Sequence, residues 1–280
     1  MSSTIRKAAF DVSLDDRSKY LRQLAIKALE SGKRAHLGSA MSIMEIIRVL
    51  YDNFLNIDPA NPRDHHRDRF ILSKGHGCLA QYVVLADKGF FDVKELLTFC
   101  HAESILGGHP EYEKVPGVEA STGSLGHGLS IGVGMAISTK ILHKKHRVVV
   151  LTGDGEINEG SIWEAAMSAA KHKLDNLIVM IDYNKMQSYA STVDVLDLEP
   201  MCEKWNSFGF QVHEVDGHDI KMLSSVLSKI DFSSGKPCSI ICHTVKGKGF
   251  PFAENNAAWH HKTKISEAEL QAMHDCIQKR

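Results

Sequence analysis

The segment from Leu151 to Gln187 reads LTGDGEINEGSIWEAAMSAAKHKLDNLIVMIDYNKMQ, and it decides the fold. It begins at the end of a β-branched apolar run, residues 147–151, and contains a second apolar run at 177–182. The residues between the two runs, 161–171, have the apolar spacing of a helix. Because both runs are continuously apolar, they are typical of strands in a parallel sheet buried on both faces. The segment therefore predicts a strand-helix-strand crossover.

The same alternation of strand and helix continues on both sides of this segment. Helices are predicted at 14–34, 42–54, 77–88, 125–143, 200–208, 219–230 and 266–279, and further strands at 210–215 and 238–244. Ser13 is the expected N-cap of the first helix, and Ser42 with Glu45 forms a capping-box pattern. Residues 246–264 form a long loop by pattern, and loops of that length are usually functional or mobile. We expect residues 1–280 to form one α/β domain, a parallel sheet with helices on both faces.

The composition is that of an ordinary soluble globular protein, with 43% hydrophobic and 24% charged residues in a chain of 280. The 33 basic and 34 acidic side chains leave a net charge of -1, so we expect no nucleic acid or anionic membrane as partner. No apolar run approaches the roughly 18 residues of a membrane span, and the first residues lack the apolar core of a signal peptide. The six cysteines show no CxxC spacing, so we expect reduced, buried thiols in a cytoplasmic protein.

Asp154 lies between Gly153 and Gly155 at the carboxyl end of the 147–151 strand, the edge at which parallel sheets bind ligands. Glycines in such a turn usually let the backbone approach a phosphate, whereas a bare carboxylate repels one. No GxxxxGK followed by Ser or Thr is present, and Asn158 stands where a GxGxxG motif needs glycine. A divalent cation resolves the conflict, because Mg²⁺ binds carboxylate, phosphate and water oxygens together.

Asn184 is the second ligand that this hypothesis requires. It follows Asp154 by 30 residues, one crossover, just after the strand at 177–182. The carboxyl ends of neighbouring parallel strands meet at one edge, so we expect the two side chains to share one ion. The alternative is that Asp154 only caps the helix that follows it.

Several of the 16 histidines stand close to glycine, in AHLGSA, SKGHGC, GGHPE, SLGHG and VDGHD. They are His36, His76, His109, His127 and His218. Glycine beside histidine suggests tight turns that hold imidazoles in a cleft, and the alternative is loop histidines without a ligand. Imidazole donates or accepts a proton near neutral pH, which suits acid-base catalysis.

A series of ordered motifs resembles the transketolase family: SGKRAHLGSAMS, DRFILSKGHG, STGSLGHGLSIGVGMA, GDGEINEGSIWEA, DYNKMQ, and KGKGF with WHHK. They span most of the chain and resemble the N-terminal, diphosphate-binding part of a full-length transketolase. The resemblance implies a thiamine diphosphate-binding fold with thiamine diphosphate and Mg²⁺ as cofactors, Ca²⁺ or Mn²⁺ being substitutes for the metal. It also implies a cofactor that cleaves a two-carbon unit from a ketose, which an aldose then takes up.

By this resemblance, Asp154, Asn184 and the main-chain carbonyl of Met186 bind the metal, and Gly155 donates its amide to the diphosphate. The loop that meets the rings of the cofactor consists of Gly123, Ser124 and Leu125. His76 and His260 resemble the histidines that hydrogen-bond the diphosphate and border the reacting carbon. His36 and His109 resemble the histidines that bind the hydroxyls of the donor ketose and assist proton transfer.

The resemblance also implies an incomplete site. In the family, the glutamate that activates the cofactor lies on a second, pyrimidine-binding domain, for which a chain ending at Arg280 leaves no room. We therefore expect the N-terminal subunit of a split transketolase in an α2β2 assembly, whose partner chain supplies that domain and most phosphate-binding arginines. Glu159 and Glu164 match acids that form a carboxylate network with the neighbouring subunit, and through this network Glu159 is expected to take part in catalysis and cofactor binding. The alternative is that both are ordinary charged residues at the start of a helix.

Two positions depart from the family pattern. QSYAST follows Met186 where relatives commonly have an acid and a glycine, and His261 stands where the family usually has glycine. These departures leave the substrates open between the usual sugar phosphates and an unusual, for example sulfonated, sugar. Other interpretations are a subunit of a 2-oxoacid dehydrogenase or decarboxylase, which shares GDG and asparagine, and a catalytically silent assembly module.

Overall fold

The computed structural model describes residues 2–279, and its centre is a sheet of five parallel strands. The strands are β1 (Arg69–Leu72), β2 (Val148–Gly153), β3 (Leu177–Tyr183), β4 (Gln211–Asp216) and β5 (Cys238–His243). Their order across the sheet is β1-β2-β3-β5-β4. The register places Gly153 of β2 beside Asp182 of β3, so the carboxyl ends of these central strands lie side by side.

The α-helices are α1 (Ser2–Asp11), α2 (Asp16–Gly32), α3 (Leu37–Ser42), α4 (Met44–Val49), α5 (Cys78–Asp87), α6 (His127–Ile141), α7 (Gly160–Lys171), α8 (Thr192–Val195), α9 (Met201–Ser207), α10 (Ile220–Ser228) and α11 (Glu267–Lys279). A π-helical turn, Leu50–Phe54, continues α4, and short 3-10 turns cover Gly75–Gly77, Val93–Thr98, Gly155–Asn158 and Ala257–Trp259. No helix within residues 2–279 is long and apolar enough to cross a membrane.

Alternate residues of the central strands enter two separate hydrophobic cores. Val149 and Leu151 pack in the core formed with α2, α4 and α5, whereas Val148 and Val150 pack in the core formed with α6, α7 and α9. Because β2, β3 and β5 are buried along their whole length, each one appears in the sequence as a continuous apolar run. The predicted parallel sheet with helices on both faces is confirmed.

Helix α2 begins later than predicted. Its N-cap is Asp15, whose carboxylate accepts a hydrogen bond from the Ser18 amide at 2.8 Å, so the predicted N-cap Ser13 is wrong. A carboxylate at this position also interacts favourably with the positive end of the helix dipole, which a serine hydroxyl does not.

The predicted capping box of Ser42 and Glu45 is also wrong. The predicted helix at 42–54 begins instead as α3, and Ser42 is the last residue of that helix. The Ser42 hydroxyl donates to Asp182 Oδ2 at 2.7 Å, and Glu45 binds Arg22 and His218. Buried polar side chains need partners, and here the partners come from distant segments.

Arg22, Glu45 and His218 form a buried network in which each residue is at most 2% exposed. The Arg22 guanidinium donates to Glu45 at 2.5 and 3.1 Å, and His218 Nδ1 lies 2.8 Å from Glu45 Oε2. The amide of Val245 donates to His218 Nε2 at 2.9 Å, and Arg22 Nε donates to the Lys248 carbonyl at 3.0 Å. His218 therefore lies in the core and not in a cleft, and the start of the predicted 246–264 loop is anchored to that core.

Candidate active site

The carboxyl edge of the sheet gathers polar residues from the strand ends. β1 leads into Lys74 and His76, β2 into Asp154, β3 into Asn184 and β5 into Lys246. These residues surround a cavity of about 80 Å³. The remaining wall consists of Ser39, Leu125, Gly153, Gly155, Glu156, Met186, Gln187, Ser188 and His260. This is the edge at which the sequence predicts ligand binding.

Asp154 is buried at this edge, with 3% of its surface exposed. Its Oδ1 accepts a hydrogen bond from the Gly155 amide at 2.7 Å, which is the capping contact of the alternative interpretation. Its Oδ2 accepts one from the Lys185 amide at 2.5 Å, so the end of β2 meets the residue after Asn184. Burial and the neighbouring Asp182 raise the pKa of Asp154 to about 7. A cation at this point would favour the ionised carboxylate.

Asn184 and Met186 carry the other predicted oxygen donors. Asn184 Oδ1 accepts a hydrogen bond from the Met186 amide at 3.0 Å, and the Met186 carbonyl accepts one from Lys246 Nζ at 3.0 Å. Carboxylate, amide and carbonyl oxygens are the ligands that Mg²⁺ prefers, so this donor set fits the expected ion. Within residues 2–279 no group of three His, Cys, Asp or Glu is suited to hold a metal, so a metal here depends on the amide and carbonyl oxygens.

Two lysines of the cavity wall are almost fully buried, Lys74 at 1% and Lys246 at 2% exposure. Lys74 forms an ion pair with Asp182, and Lys246 donates to the carbonyls of Met186 and Gln187 at 3.0 Å. Burial and the charge of Lys74 lower the pKa of Lys246 to about 8. Neither lysine was predicted as a site residue. The sequence signal that could have indicated them is their position directly before glycine in SKGHG and KGKGF. Lysine is almost never fully buried unless it is paired, so two buried lysines at one cavity are a notable feature of the site.

Glu156 fixes the turn that carries Asp154. Its carboxylate accepts hydrogen bonds from the amides of Gly153 at 3.0 Å and Gly126 at 2.9 Å, and from the Ser73 hydroxyl at 2.5 Å. This buried side chain therefore ties together the ends of β1 and β2 and the loop that precedes α6. Sequence reasoning gave Glu156 no role.

The loop predicted to meet the cofactor rings lies beside the histidines. Leu125 lines the cavity. Gly123 packs closely on His109, since a Cβ on Gly123 would lie 3.1 Å from the imidazole. Ser124 is exposed to solvent. Leu125 is therefore the member of this loop that faces the cavity.

His36, His76, His109 and His260 come together next to the cavity. The ring centroid of His36 lies 5.3 Å from that of His76 and 5.5 Å from that of His260. His109 lies 6.0 Å from His36. His261 stacks on His36, with centroids 4.3 Å apart and planes inclined by 20°. The histidines that the sequence places in distant motifs thus form one cluster.

The pKa values of these imidazoles are low. Burial, followed by the charge of His261, lowers the pKa of His36 to about 4. Burial, followed by the charge of Lys246, lowers that of His260 to about 3. Burial likewise lowers the pKa of His76 and His109. These four imidazoles are therefore uncharged near neutral pH.

Two buried nitrogen atoms at the cavity are orphaned. His260 Nδ1 and Gln187 Nε2 have no hydrogen-bond partner in the part of the chain that the structure describes. Such groups are costly to bury, and a polar ligand in the cavity would satisfy them. The observation supports a ligand with hydrogen-bonding atoms at this position.

Other predicted residues lie outside the cavity. Glu159 and Glu164 are exposed at and after the start of α7. His127 is exposed on the first turn of α6. If Glu159 takes part in catalysis, it must do so through a neighbouring molecule and not through this cavity alone.

The sequence matches, over residues 15–277, the family described as transketolase, thiamine diphosphate binding domain. The chain therefore belongs to the transketolase family, as its thiamine diphosphate-binding domain, and the expected family is confirmed.

Two relatives match this chain over almost their full length. One is a subunit of the apulose-4-phosphate transketolase of Actinobacillus succinogenes, 44% identical over 92% of this chain and 94% of the relative. The other is the 6-deoxy-6-sulfo-D-fructose transketolase subunit SqwG of Clostridium sp., 39% identical over 93% of this chain and 94% of the relative.

The fold also matches solved transketolases. The transketolase from Leishmania mexicana superimposes with a TM-score of 0.83 and 28% identity, covering 96% of this chain. The chain spans only 45% of the length of that protein. This chain therefore matches one part of that solved transketolase, which is the longer of the two chains.

Proposed function

We propose that this chain is the diphosphate-binding subunit of a two-chain transketolase, which transfers a two-carbon ketol unit from a ketose to an aldose. The observation that carries the proposal is that Asp154 and Asn184 line one cavity at the edge of the sheet, beside four uncharged imidazoles. Oxygen donors for a metal and imidazoles for sugar hydroxyls are the two requirements of this chemistry.

Asp154, Asn184 and the Met186 carbonyl would hold Mg²⁺, for which Ca²⁺ or Mn²⁺ can substitute. The amide of Gly155 and the imidazoles of the cleft would donate hydrogen bonds to the diphosphate that the metal neutralises. When bound, thiamine diphosphate supplies the carbon nucleophile of the reaction. The protein's contribution is to orient that cofactor and to exclude water from it.

The histidines divide this work by position. His76 and His260 line the cavity itself, so they are proposed to hydrogen-bond the cofactor and border the reacting carbon. His36 and His109 lie further out and are proposed to bind the hydroxyls of the ketose and move protons at those oxygens. A neutral imidazole suits both tasks, because one ring nitrogen donates while the other accepts.

The substrates are proposed to be ketoses and aldoses with a charged end. The two relatives described above act, by name, on a phosphorylated and a sulfonated sugar, and both classes stay open for this chain. Their names also designate subunits, which supports a partner chain carrying the pyrimidine-binding domain and its activating glutamate.

An α2β2 assembly is the proposed quaternary structure. Apolar side chains are exposed on α6 and α7, beside the exposed acids Glu159 and Glu164, which supports an intersubunit contact at this surface. These side chains are Ile131, Ile141 and Met167. The cysteines are all free, which supports the reducing cytoplasm as the compartment. The predicted burial of all six is wrong for Cys100, Cys202 and Cys276, which are only partly buried.

The decisive experiment compares the isolated chain with the complex purified from its own cells. With thiamine diphosphate and Mg²⁺, the complex is expected to transfer ketol units from xylulose 5-phosphate, and the isolated chain is expected to show no turnover.

Asp154→Ala should abolish magnesium-dependent cofactor binding by the complex in calorimetry, whereas Asp16→Ala, which removes an exposed carboxylate, should not. Decarboxylation of pyruvate without ketol transfer would favour a 2-oxoacid enzyme, and absence of cofactor binding would favour an assembly module.

A further inference from the structure

Asp182 is a fully buried carboxylate near the end of β3, beside Gly153 of β2. Its two oxygens accept hydrogen bonds from four side chains, which are those of Ser42, Lys74, Asn184 and Thr244. The Ser42 hydroxyl lies 2.7 Å from Oδ2, and Nδ2 of Asn184 lies 3.0 Å from the same atom. A carboxylate has about four lone-pair sites, so these donors match its accepting capacity in number.

The segments that carry these donors also build the cavity at the edge of the sheet. Two of the donors, Lys74 and Asn184, are themselves part of the cavity wall. The other two belong to α3 and to the segment after β5, which reach the same wall through Ser39 and Lys246. Within residues 2–279, Asp182 itself is not part of that wall. Its carboxylate therefore joins the segments around the cavity without lining the cavity.

The contact with Asn184 decides which way the side-chain amide of that residue is turned. An ionised carboxylate can only accept hydrogen bonds, so the NH₂ end of Asn184 must lie toward Asp182. On the other side, the main-chain amide of Met186 can only donate, and it lies 3.0 Å from Asn184 Oδ1. Half a turn of the side-chain amide would place its oxygen against the carboxylate and its NH₂ group against the N–H of Met186. Both neighbours therefore fix the same orientation.

Burial makes this orientation strict. Asp182 and each of its four donors are at most 4% exposed. A buried NH₂ group without an acceptor is costly, and solvent is not at hand to replace the carboxylate. Loss of this acceptor therefore releases the Asn184 amide to turn toward another one, which moves its oxygen away from the side of Met186.

Resting on the proposed function, we infer that Asp182 is a positioning residue of the metal site, which acts through Asn184 and does not bind the ion itself. It holds the Asn184 amide so that Oδ1 accepts the N–H of Met186 with one lone pair and keeps the second for the ion. Groups that hydrogen-bond a metal ligand fix its direction, and their loss typically lowers metal affinity about 10–100-fold.

The test measures the Mg²⁺ affinity of the purified complex by calorimetry, from the Kd of thiamine diphosphate over a series of Mg²⁺ concentrations. Asp182→Asn is expected to weaken the apparent Mg²⁺ affinity about 10–100-fold. The introduced amide carries donors of its own, so it no longer requires the NH₂ end of Asn184 to lie toward it. Because binding is read without turnover, the result does not depend on the choice of sugar.

An exchange variant, Asp182→Asn combined with Asn184→Asp, separates orientation from general damage. The introduced amide then donates to the introduced carboxylate, so the hydrogen bond is kept with donor and acceptor reversed. A carboxylate offers an oxygen to the ion whichever way it is turned, and the net charge equals that of the wild type. The exchange variant is therefore expected to recover most of the Mg²⁺ affinity that Asp182→Asn loses.

Asp68→Asn is the matched control. Asp68 is also a buried aspartate, 3% exposed, but it pairs with Arg147 before the start of β1, at the opposite edge of the sheet. This substitution should lower stability in urea unfolding and leave the Mg²⁺ affinity of the complex unchanged.

Wild-type Mg²⁺ affinity in Asp182→Asn overturns the inference, as does an exchange variant that binds Mg²⁺ no better than the single variant. Either result leaves the proposed function standing. If Asp182→Asn does not fold, the exchange variant decides, since near-wild-type Mg²⁺ affinity supports the inference and its loss overturns it. If the wild-type complex binds no thiamine diphosphate, or binds it without Mg²⁺, the proposed function fails and the inference fails with it.

Discussion

Burial is the main reason that His36, His76, His109 and His260 have low pKa values, and neighbouring positive charges lower these values further. The ring of His261 stacks on His36 with centroids 4.3 Å apart. For His260, the positive charge of Lys246 is the largest cause of the low pKa after burial. A cationic ring would be repelled by these neighbours. The cleft therefore presents hydrogen-bond donors and acceptors to a sugar while adding no positive charge of its own histidines.

Replacing His261 by glycine, the usual family residue, should raise the pKa of His36 above its present value of about 4. The reason is that His261 is the largest charged contributor to the shift after burial, so its loss removes a repulsion from the protonated ring. The pKa of His109 should rise as well, since His261 acts on it too. Titration of the imidazole signals by NMR measures both changes.

His65→Gly is the control for this titration, because His65 is an exposed histidine before β1 and outside the cluster. It should leave both pKa values in place. An unchanged His36 titration in the His261→Gly variant would mean that burial and the other neighbouring charges, without His261, set the low pKa.

Motifs predicted the histidines and Asp154 with Asn184, but they did not predict the groups that hold them. Lys74 pairs with Asp182, 108 residues further along the chain. Glu156 binds the amide of Gly126, 30 residues earlier. Such contacts depend on the arrangement of strands in the sheet, which no local pattern records. The roles of the predicted site residues stay predictions until ligand binding is measured.

Helix α6 packs against the sheet through glycines at which a Cβ would have no room. A Cβ on Gly132 would overlap with the side chain of Val150, and one on Gly128 would overlap with that of Ser73. By contrast, a Cβ on Gly134, on the exposed side of the same helix, would meet nothing within 4 Å. The close approach keeps the start of α6, with Leu125 before it, against the ends of β1 and β2.

Gly132→Ala should destabilise the chain by about 1–3 kcal/mol, because the added methyl group overpacks the contact with Val150. Gly134→Ala should instead stabilise it by about 0.5–1 kcal/mol, since alanine is the better helix former and the site is open. Urea unfolding of both variants measures the difference. If both substitutions change stability equally, the helix does not depend on the glycine contact for its position.

Strands β3, β4 and β5 and helices α7, α9 and α10 were predicted within a few residues, whereas α1, α8 and β1 were not predicted. The strand β1 (Arg69–Leu72) escaped prediction because four residues between charged neighbours carry too little pattern. Yet β1 is the element that delivers Lys74 and His76 to the site. The 246–264 segment was predicted as a loop, and the structure adds that Lys246 and Lys248 at its start are buried.

At the scale of the whole molecule, the Arg22, Glu45 and His218 network joins α2, α4, the end of β4 and the segment after β5. Although burial raises its pKa, Glu45 has a pKa below the ordinary value because of Arg22 and then His218. The segment anchored by this network carries Lys246 into the cavity. Core stability and the geometry of the cleft are therefore connected.

Glu45→Gln should lower the free energy of unfolding by about 3–5 kcal/mol, because it leaves the Arg22 charge buried without a counter-ion. Glu30→Gln is the control, since Glu30 pairs with His274 at the surface and its loss should cost about 0–1 kcal/mol. Urea unfolding at pH 7 measures both. A small and equal loss in the two variants would show that the network contributes no more than a surface pair.

The same network gives a pH dependence with a defined sign. Since the Glu45 pKa is lower in the folded chain than its ordinary value of 4.5, the contribution is complete above that pH and is lost as pH falls below it. Glu45→Gln should flatten this part of the acid unfolding curve. An acid transition of the same steepness in wild type and variant would assign it to other groups.

A short antiparallel pair between Ala35 and Lys262 consists of main-chain hydrogen bonds only. Exchange of the neighbouring side chains at 34 and 261 therefore leaves the scaffold that positions them intact. The chain can therefore vary the side chains at this edge of the histidine cluster while it keeps the hydrogen bonds that join the two segments.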